Sequence, residues 1–120
     1  MPLLRIKQHF DAAHRLLSYD GKEKNLHGHR WEAIFEFSGQ VDAKSGMIVD
    51  FAIIKKLIAG ILPDHQFLNE VYSMDDPTPE RIANRLYVDL LREFRAHPEL
   101  DIVLERIELF ESSECSVVVE

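Results

Sequence analysis

The stretch KEKNLHGHRWEAIFEF, residues 22–37, decides how the rest of the chain is read. From His27 onward the odd positions His27, His29, Trp31, Ala33, Phe35 and Phe37 share one face, while Arg30, Glu32, Glu36 and Ser38 take the other. That two-residue repeat is the pattern of a half-buried β-strand. Its apolar row ends at the N-terminal side in two histidines around Gly28. Side chains at i and i+2 of a strand point the same way, about 7 Å apart along the backbone, so the two imidazoles stand side by side at the strand's mouth.

Upstream, LLRIKQHF (residues 3–10) alternates with Leu4, Ile6 and Phe10 on one side, the pattern of another half-buried strand, and FDAAHRL places His14 at its end. The 12 residues 15–26 are long enough to bring that end back beside His27. Downstream, SGQVDAKSG supplies turn residues and MIVDF reads as the short second arm of a hairpin. Asp50 is placed to cap a helix in which Phe51, Ile54, Leu57, Ile58 and Ile61 recur at helical spacing until Pro63. A second helix begins at Thr78 as N-cap with Pro79 at its first position, and Ile82, Leu86, Leu90 and Phe94 form its stripe. DIVLERIELFE and CSVVVE close the chain as two strands.

The resulting order, ββααββ, predicts an α+β fold in which an antiparallel sheet carries two helices on one face. Residues 1–120 read as a single domain. The outer strands leave open edges, which pairing between subunits would remove.

A formal net charge of −7, with Lys and Arg scattered, argues against a polyanionic partner such as nucleic acid. One cysteine, Cys115, excludes an intrachain disulfide, suits a reducing compartment and reads as a small core residue. No apolar run approaches the roughly 20 residues of a membrane span, and the charged N-terminus does not resemble a secretory signal. A cytoplasmic location is expected.

Taken singly, each histidine reads as a packed or surface residue. Two in H-x-H at a strand end, with His14 at another strand end, instead suit a metal, because a catalytic zinc keeps three protein ligands and one open position. Asp64 and His65 stand together in a loop after Pro63, where the carboxylate could orient the imidazole for proton transfer or merely cap the helix. Glu23, four residues before His27, sits close to a site there or is simply solvated. Glu111 continues the apolar row of Ile107 and Leu109, as a carboxylate suited to paired N–H donors or as a solvated strand end. His9 and His97 read as solvated.

FDAAH, LHGH, DFAIIKKLI, DHQFLN, DPTPERIA and LFES together, from about residue 8 to residue 111, resemble the 6-pyruvoyltetrahydropterin synthase and 6-carboxytetrahydropterin synthase family in order and spacing. The resemblance implies a T-fold whose strands join across three subunits into a barrel, two trimers stacking into a hexamer with sites at subunit interfaces. It implies zinc on His14, His27 and His29, a catalytic Asp64–His65 pair, Glu111 as the anchor of a dihydropterin ring, and Thr78 and Glu80 near the same pocket. Where the pyruvoyl and carboxy synthases carry a cysteine four residues before the first histidine of H-G-H, this chain has Glu23. That departure resembles the subgroup that cleaves the side chain of a dihydroneopterin to 6-hydroxymethyl-7,8-dihydropterin for folate synthesis. Two further departures, Ser112 where the family has Thr and the lack of a Tyr near the end of the last strand, are expected to matter little. The alternatives are a 6-carboxytetrahydropterin synthase serving deazapurine (queuosine) synthesis and, from another class, a non-catalytic zinc- and pterin-binding oligomer.

Overall fold

The computed structural model describes residues 2–120. Five strands form one sheet: β1 (Leu3–His14), β2 (His27–Gly39), β3 (Gln66–Phe67), β4 (Ile102–Ser112) and β5 (Cys115–Val119), in the order β3-β1-β2-β4-β5. Three helices, α1 (Phe51–Ile61), α2 (Leu68–Val71) and α3 (Pro79–Ala96), lie between β2 and β4 in sequence. The α+β class therefore holds. The ββααββ order gains two short insertions: β3, which runs parallel to β1 opposite Ala12 and Ala13, and the single turn of α2 directly after it.

The apolar row of β2 is the centre of the core. Trp31, Ala33, Phe35 and Phe37 are all fully buried, as are Ile54 and Ile58 of α1 and Ile82, Leu86 and Leu90 of α3. Each aromatic or branched side chain so removed from water contributes roughly 1.5–3 kcal/mol to folding, which is why this row fixes the register. Both helix starts follow their caps: the Asp50 carboxylate accepts from the Ala52 N–H at 2.9 Å, and the Thr78 hydroxyl accepts from the Arg81 N–H at 3.3 Å with Pro79 in the first turn. Pro63 follows the end of α1, as expected.

Between β2 and β4 the register shifts once. Glu36 pairs with Arg106 but Phe37 with Leu104, so Glu105 is the extra residue of a bulge. The bulge lets Leu104 and Ile107, three apart, both reach the core. On the helix-free face Glu36 is buried between the guanidinium groups of Arg5 and Arg106, a packing that strand parity alone does not reveal.

Two expectations fail. MIVDF forms no strand: residues 40–50 are a turn-rich connection, and β2 instead takes β1 and β4 as its partners. Cys115 is exposed and not in the core, since β5 is an edge strand and Cys115 begins it at the hairpin turn.

Beyond Ala12–Ala13, β1 has no partner on its outer side among the described residues, and β5 has none on its own. No helix is long and apolar enough to cross a membrane among those residues.

Candidate active site

The antiparallel pairing of β1 and β2 sets His14 opposite His27 and Ala12 opposite His29. Three imidazoles thereby converge at the joined strand ends, with ring centroids 4.6 Å (His14 to His27), 4.8 Å (His27 to His29) and 5.4 Å (His14 to His29) apart. Trp31 is the floor. Its ring meets His14 and His29 edge-on, and its indole N–H donates to the Ala12 carbonyl at 3.2 Å.

Backbone carbonyls choose the tautomers. His14 Nδ1 lies 2.9 Å from the Pro77 carbonyl and His27 Nδ1 lies 2.7 Å from the Asn25 carbonyl. A carbonyl only accepts, so both Nδ1 atoms carry hydrogen and both Nε2 atoms keep a lone pair. The Nε2 atoms of His14, His27 and His29 are buried without a hydrogen-bond partner, and one ligand atom from each residue falls within 4.8 Å of the others. Orphaned buried acceptors are costly unless something meets them. Three convergent imidazole lone pairs, two of them held from behind by carbonyls, fit a divalent ion such as zinc. Burial drives the pKa of His14 and of His29 below the ordinary imidazole value, so both stay neutral as ligands must be.

Glu111 arrives from the end of β4, on the face its parity predicts. Its carboxylate oxygens lie 3.6 Å from His14 Nε2 and 4.0 Å from His29 Nε2, beside the lone pairs but too far for hydrogen bonds. Glu23 sits in a single 3₁₀ turn, Lys22–Lys24, that is tied back to the chain just past β1, where the Glu23 carbonyl accepts from the Leu16 N–H at 2.8 Å. Its charge reaches His29, where it opposes part of the burial effect.

Asp64 and His65 pair as predicted, with Asp64 Oδ2 3.0 Å from His65 Nδ1. The turn holding them is tied to β1: the Asp11 N–H donates to Asp64 Oδ1 at 2.9 Å, and the Asp11 carbonyl accepts from the His65 N–H at 2.6 Å. His65 adopts a φ of 58°, uncommon for a residue other than glycine. An open cleft of about 600 Å³ has both His29 and His65 in its walls, with Ala13 and Gly28 between them. A Cβ built on Gly28 would meet nothing closer than the Ala12 carbonyl at 3.9 Å, so glycine there keeps the cleft open without being required by the fold.

Thr78 and Glu80 do not join this cleft. They line a second depression of about 480 Å³ with Tyr19 and Arg81, and Thr78 is occupied as the α3 cap. The connection to the histidines runs through Pro77, whose carbonyl holds His14. Sequence reasoning missed Asp11 and Arg30, which form a two-point ion pair across β1 and β2 beside His65.

A mostly antiparallel sheet backed by helices on one face, with three imidazoles gathered where its two longest strands meet, defines an α+β protein of the T-fold type. The chain belongs to the 6-pyruvoyl tetrahydropterin synthase family, whose model matches residues 3–120. It is 34% identical over 113 residues to a dihydroneopterin monophosphate aldolase of Pyrococcus furiosus, covering 92% of this chain and 90% of that one. It is 31% identical over 88 residues to a 6-carboxy-5,6,7,8-tetrahydropterin synthase of Synechocystis, covering 68% of each. The structure of the 6-pyruvoyl tetrahydropterin synthase of Caenorhabditis elegans superposes with a TM-score of 0.80 at 27% identity, over 100% of this chain and 96% of that one.

Proposed function

We propose that the chain is a zinc-dependent pterin lyase that cleaves the side chain of 7,8-dihydroneopterin, or of its phosphate ester, to 6-hydroxymethyl-7,8-dihydropterin. The observation that carries this reading is the group in the turn before β2 whose charge reaches His29. It is the carboxylate of Glu23, while Cys115, the one thiol, stands on the β4–β5 hairpin. The identity with the Pyrococcus aldolase supports the same choice.

In this reading His14, His27 and His29 would hold the zinc, which when bound supplies Lewis acidity toward the side-chain hydroxyls. Glu111 anchors the pterin ring through its paired N–H donors. One of Glu23 and His65 takes the proton of the 2′-hydroxyl, and the C1′–C2′ bond breaks as C2′ becomes an aldehyde carbon. The released electron pair enters the ring conjugated to C1′, and the other group of the two returns a proton to C1′. Asp64, held by the Asp11 N–H, keeps His65 in one tautomer for that exchange. Thr78 and Glu80 line a separate depression and would act only indirectly, through the Pro77 carbonyl that holds His14.

The substrate site is completed by other subunits. The radius of gyration is 15.6 Å, above the about 14 Å of a compact domain this long. Leu26, next to His27, is 63% exposed, and two sheet edges are open. We expect a trimer or a hexamer of two trimers. Light scattering at micromolar concentration measures this directly, and a monomer would overturn it.

A second reading, favoured by the Synechocystis relative, is 6-carboxytetrahydropterin synthesis from dihydroneopterin triphosphate with Glu23 in place of a thiol. The deciding experiment incubates the zinc-loaded protein with dihydroneopterin, its monophosphate and its triphosphate and identifies the products. 6-Hydroxymethyl-7,8-dihydropterin with a two-carbon aldehyde is expected. 6-Carboxytetrahydropterin would replace this reading with the second, and pterin binding without turnover of any of the three would leave a non-catalytic binding oligomer.

A further inference from the structure

Asp11 and Arg30 face each other in the β1–β2 register, and Arg30 forks onto Asp11 with Nε to Oδ1 at 3.1 Å and Nη2 to Oδ2 at 3.2 Å. Planar two-point contacts of this kind fix orientation as well as charge. On its main chain the same Asp11 holds both members of the neighbouring pair, donating its N–H to Asp64 and accepting the N–H of His65. One ligand atom from each of Asp11, Asp64 and His65 falls within 4.8 Å of the others.

Two carboxylates thus flank one imidazole, yet only Asp64 lies within ion-pair distance of its ring, 3.0 Å from Nδ1. The Arg30 contact is the chief reason the Asp11 carboxyl is held below its ordinary pKa, and the Asp11 N–H is the chief reason for the same lowering in Asp64. The Arg30 charge also reaches Asp64. Nothing in the Asp64–His65 contact requires the Arg30–Asp11 pair. Its placement is what calls for an explanation.

We propose that Asp11 and Arg30 are positioning residues for the Asp64–His65 pair: the Asp11 main chain fixes the turn, and Arg30 neutralises the Asp11 side chain so that His65 answers to Asp64 alone. This rests on the reading of His65 as a proton-transfer group. The charged and titratable groups around His65 are Asp64 on its own turn, Asp11 from β1, and Arg30 and His29 from β2. Lys7 and His9 of β1 share a neighbouring depression with the far side of Asp64. α1 contributes no charged side chain to that depression.

The test is a charge cycle read on the His65 ring by NMR titration in the zinc-loaded full chain. Removing the cation in Arg30→Gln leaves Asp11 uncompensated, so the ring should titrate at higher pH than in the wild type, by a fraction of a pH unit for one charge acting through a water-like medium. Asp11→Asn keeps every main-chain hydrogen bond and leaves the cation unopposed, so the midpoint should fall by a similar amount. The double variant should return near the wild type, and Arg30→Lys, which keeps the charge, should stay close to it. The acid limb of the turnover profile should move with the NMR midpoint in each variant, with metal content unchanged. A pair that only stiffened the turn would shift both single variants in one direction or not at all, and that result would overturn the proposal. If the NMR cycle behaves as expected while the wild type turns over no dihydroneopterin, the lyase reading fails and the charge arrangement stands. The reverse combination removes Asp11 and Arg30 from the mechanism and keeps the lyase.

Discussion

His29→Ala is expected to strip the protein of most of its metal, from about one zinc per chain as purified to a small residue. The three Nε2 atoms are buried and partnerless, and one ligand atom from each residue lies within 4.8 Å of the others, so in the proposed site each imidazole is one third of the donor set. Losing a mere supporting partner costs roughly 10- to 100-fold in affinity, and losing a ligand should exceed that. His29 is the informative choice because its side chain is 27% exposed and holds no carbonyl, so its removal disturbs packing less than removal of fully buried His14. Elemental analysis against far-UV circular dichroism separates metal loss from unfolding. Full occupancy in the variant lacking all three imidazoles would place the metal elsewhere.

Acidification should release the ion in a definite window. His14 and His29 have pKa values lowered from 6.5 chiefly by burial, so they remain neutral to lower pH than solvated imidazoles. Proton competition for these two ligands therefore sets in below about pH 6.5 and not above it. In the metal-free chain the sign is the same: with the folded pKa below the unfolded one, the unfolded state binds more protons in that window, and stability falls as pH drops through it.

Much of this site was legible in the chain because it lies on a strand whose periodicity was unambiguous. The β2 row from His27 to Phe37 supplied both the core face and the direction of two histidines, and the caps at Asp50 and Thr78 located α1 and α3. What escaped was set by pairing across the fold. A two-residue parallel strand such as Gln66–Phe67 has no periodicity of its own and exists only because β1 is beside it. MIVDF was apolar enough to read as a strand, but the sheet position it would have filled belongs to β4. The burial of Glu36 on the polar row of β2 escaped because the arginines from two other strands that flank it are 31 and 70 residues away in sequence. Asp11 and Arg30 could have been found: once His14 is set opposite His27, antiparallel register alone puts Asp11 opposite Arg30.

The second large effect is expected at Glu23. If its carboxylate moves a proton during side-chain cleavage, Glu23→Gln should retain zinc and pterin binding and lose about 10² to 10⁴ in turnover of dihydroneopterin, about 3–5 kcal/mol of transition-state stabilisation. Gln keeps the shape of the side chain and removes only the titratable group, while the turn itself is held by the Glu23 carbonyl and the Leu16 N–H, which the substitution leaves in place. A loss confined to kcat would mark an interaction made in the transition state, whereas a rise in KM alone would mark one made equally with bound substrate. Glu23→Cys extends the argument, because it puts a thiol where the family resemblance implies one in the pyruvoyl and carboxy synthases and should shift the products toward those enzymes. The physical reason is that the position and basicity of this group relative to C1′ and C2′ select which proton leaves first, and so which bond breaks. Cleavage at the wild-type rate in Glu23→Gln, with metal content verified, would make Glu23 a bystander and leave both proton transfers to His65 and the Asp64 that orients it.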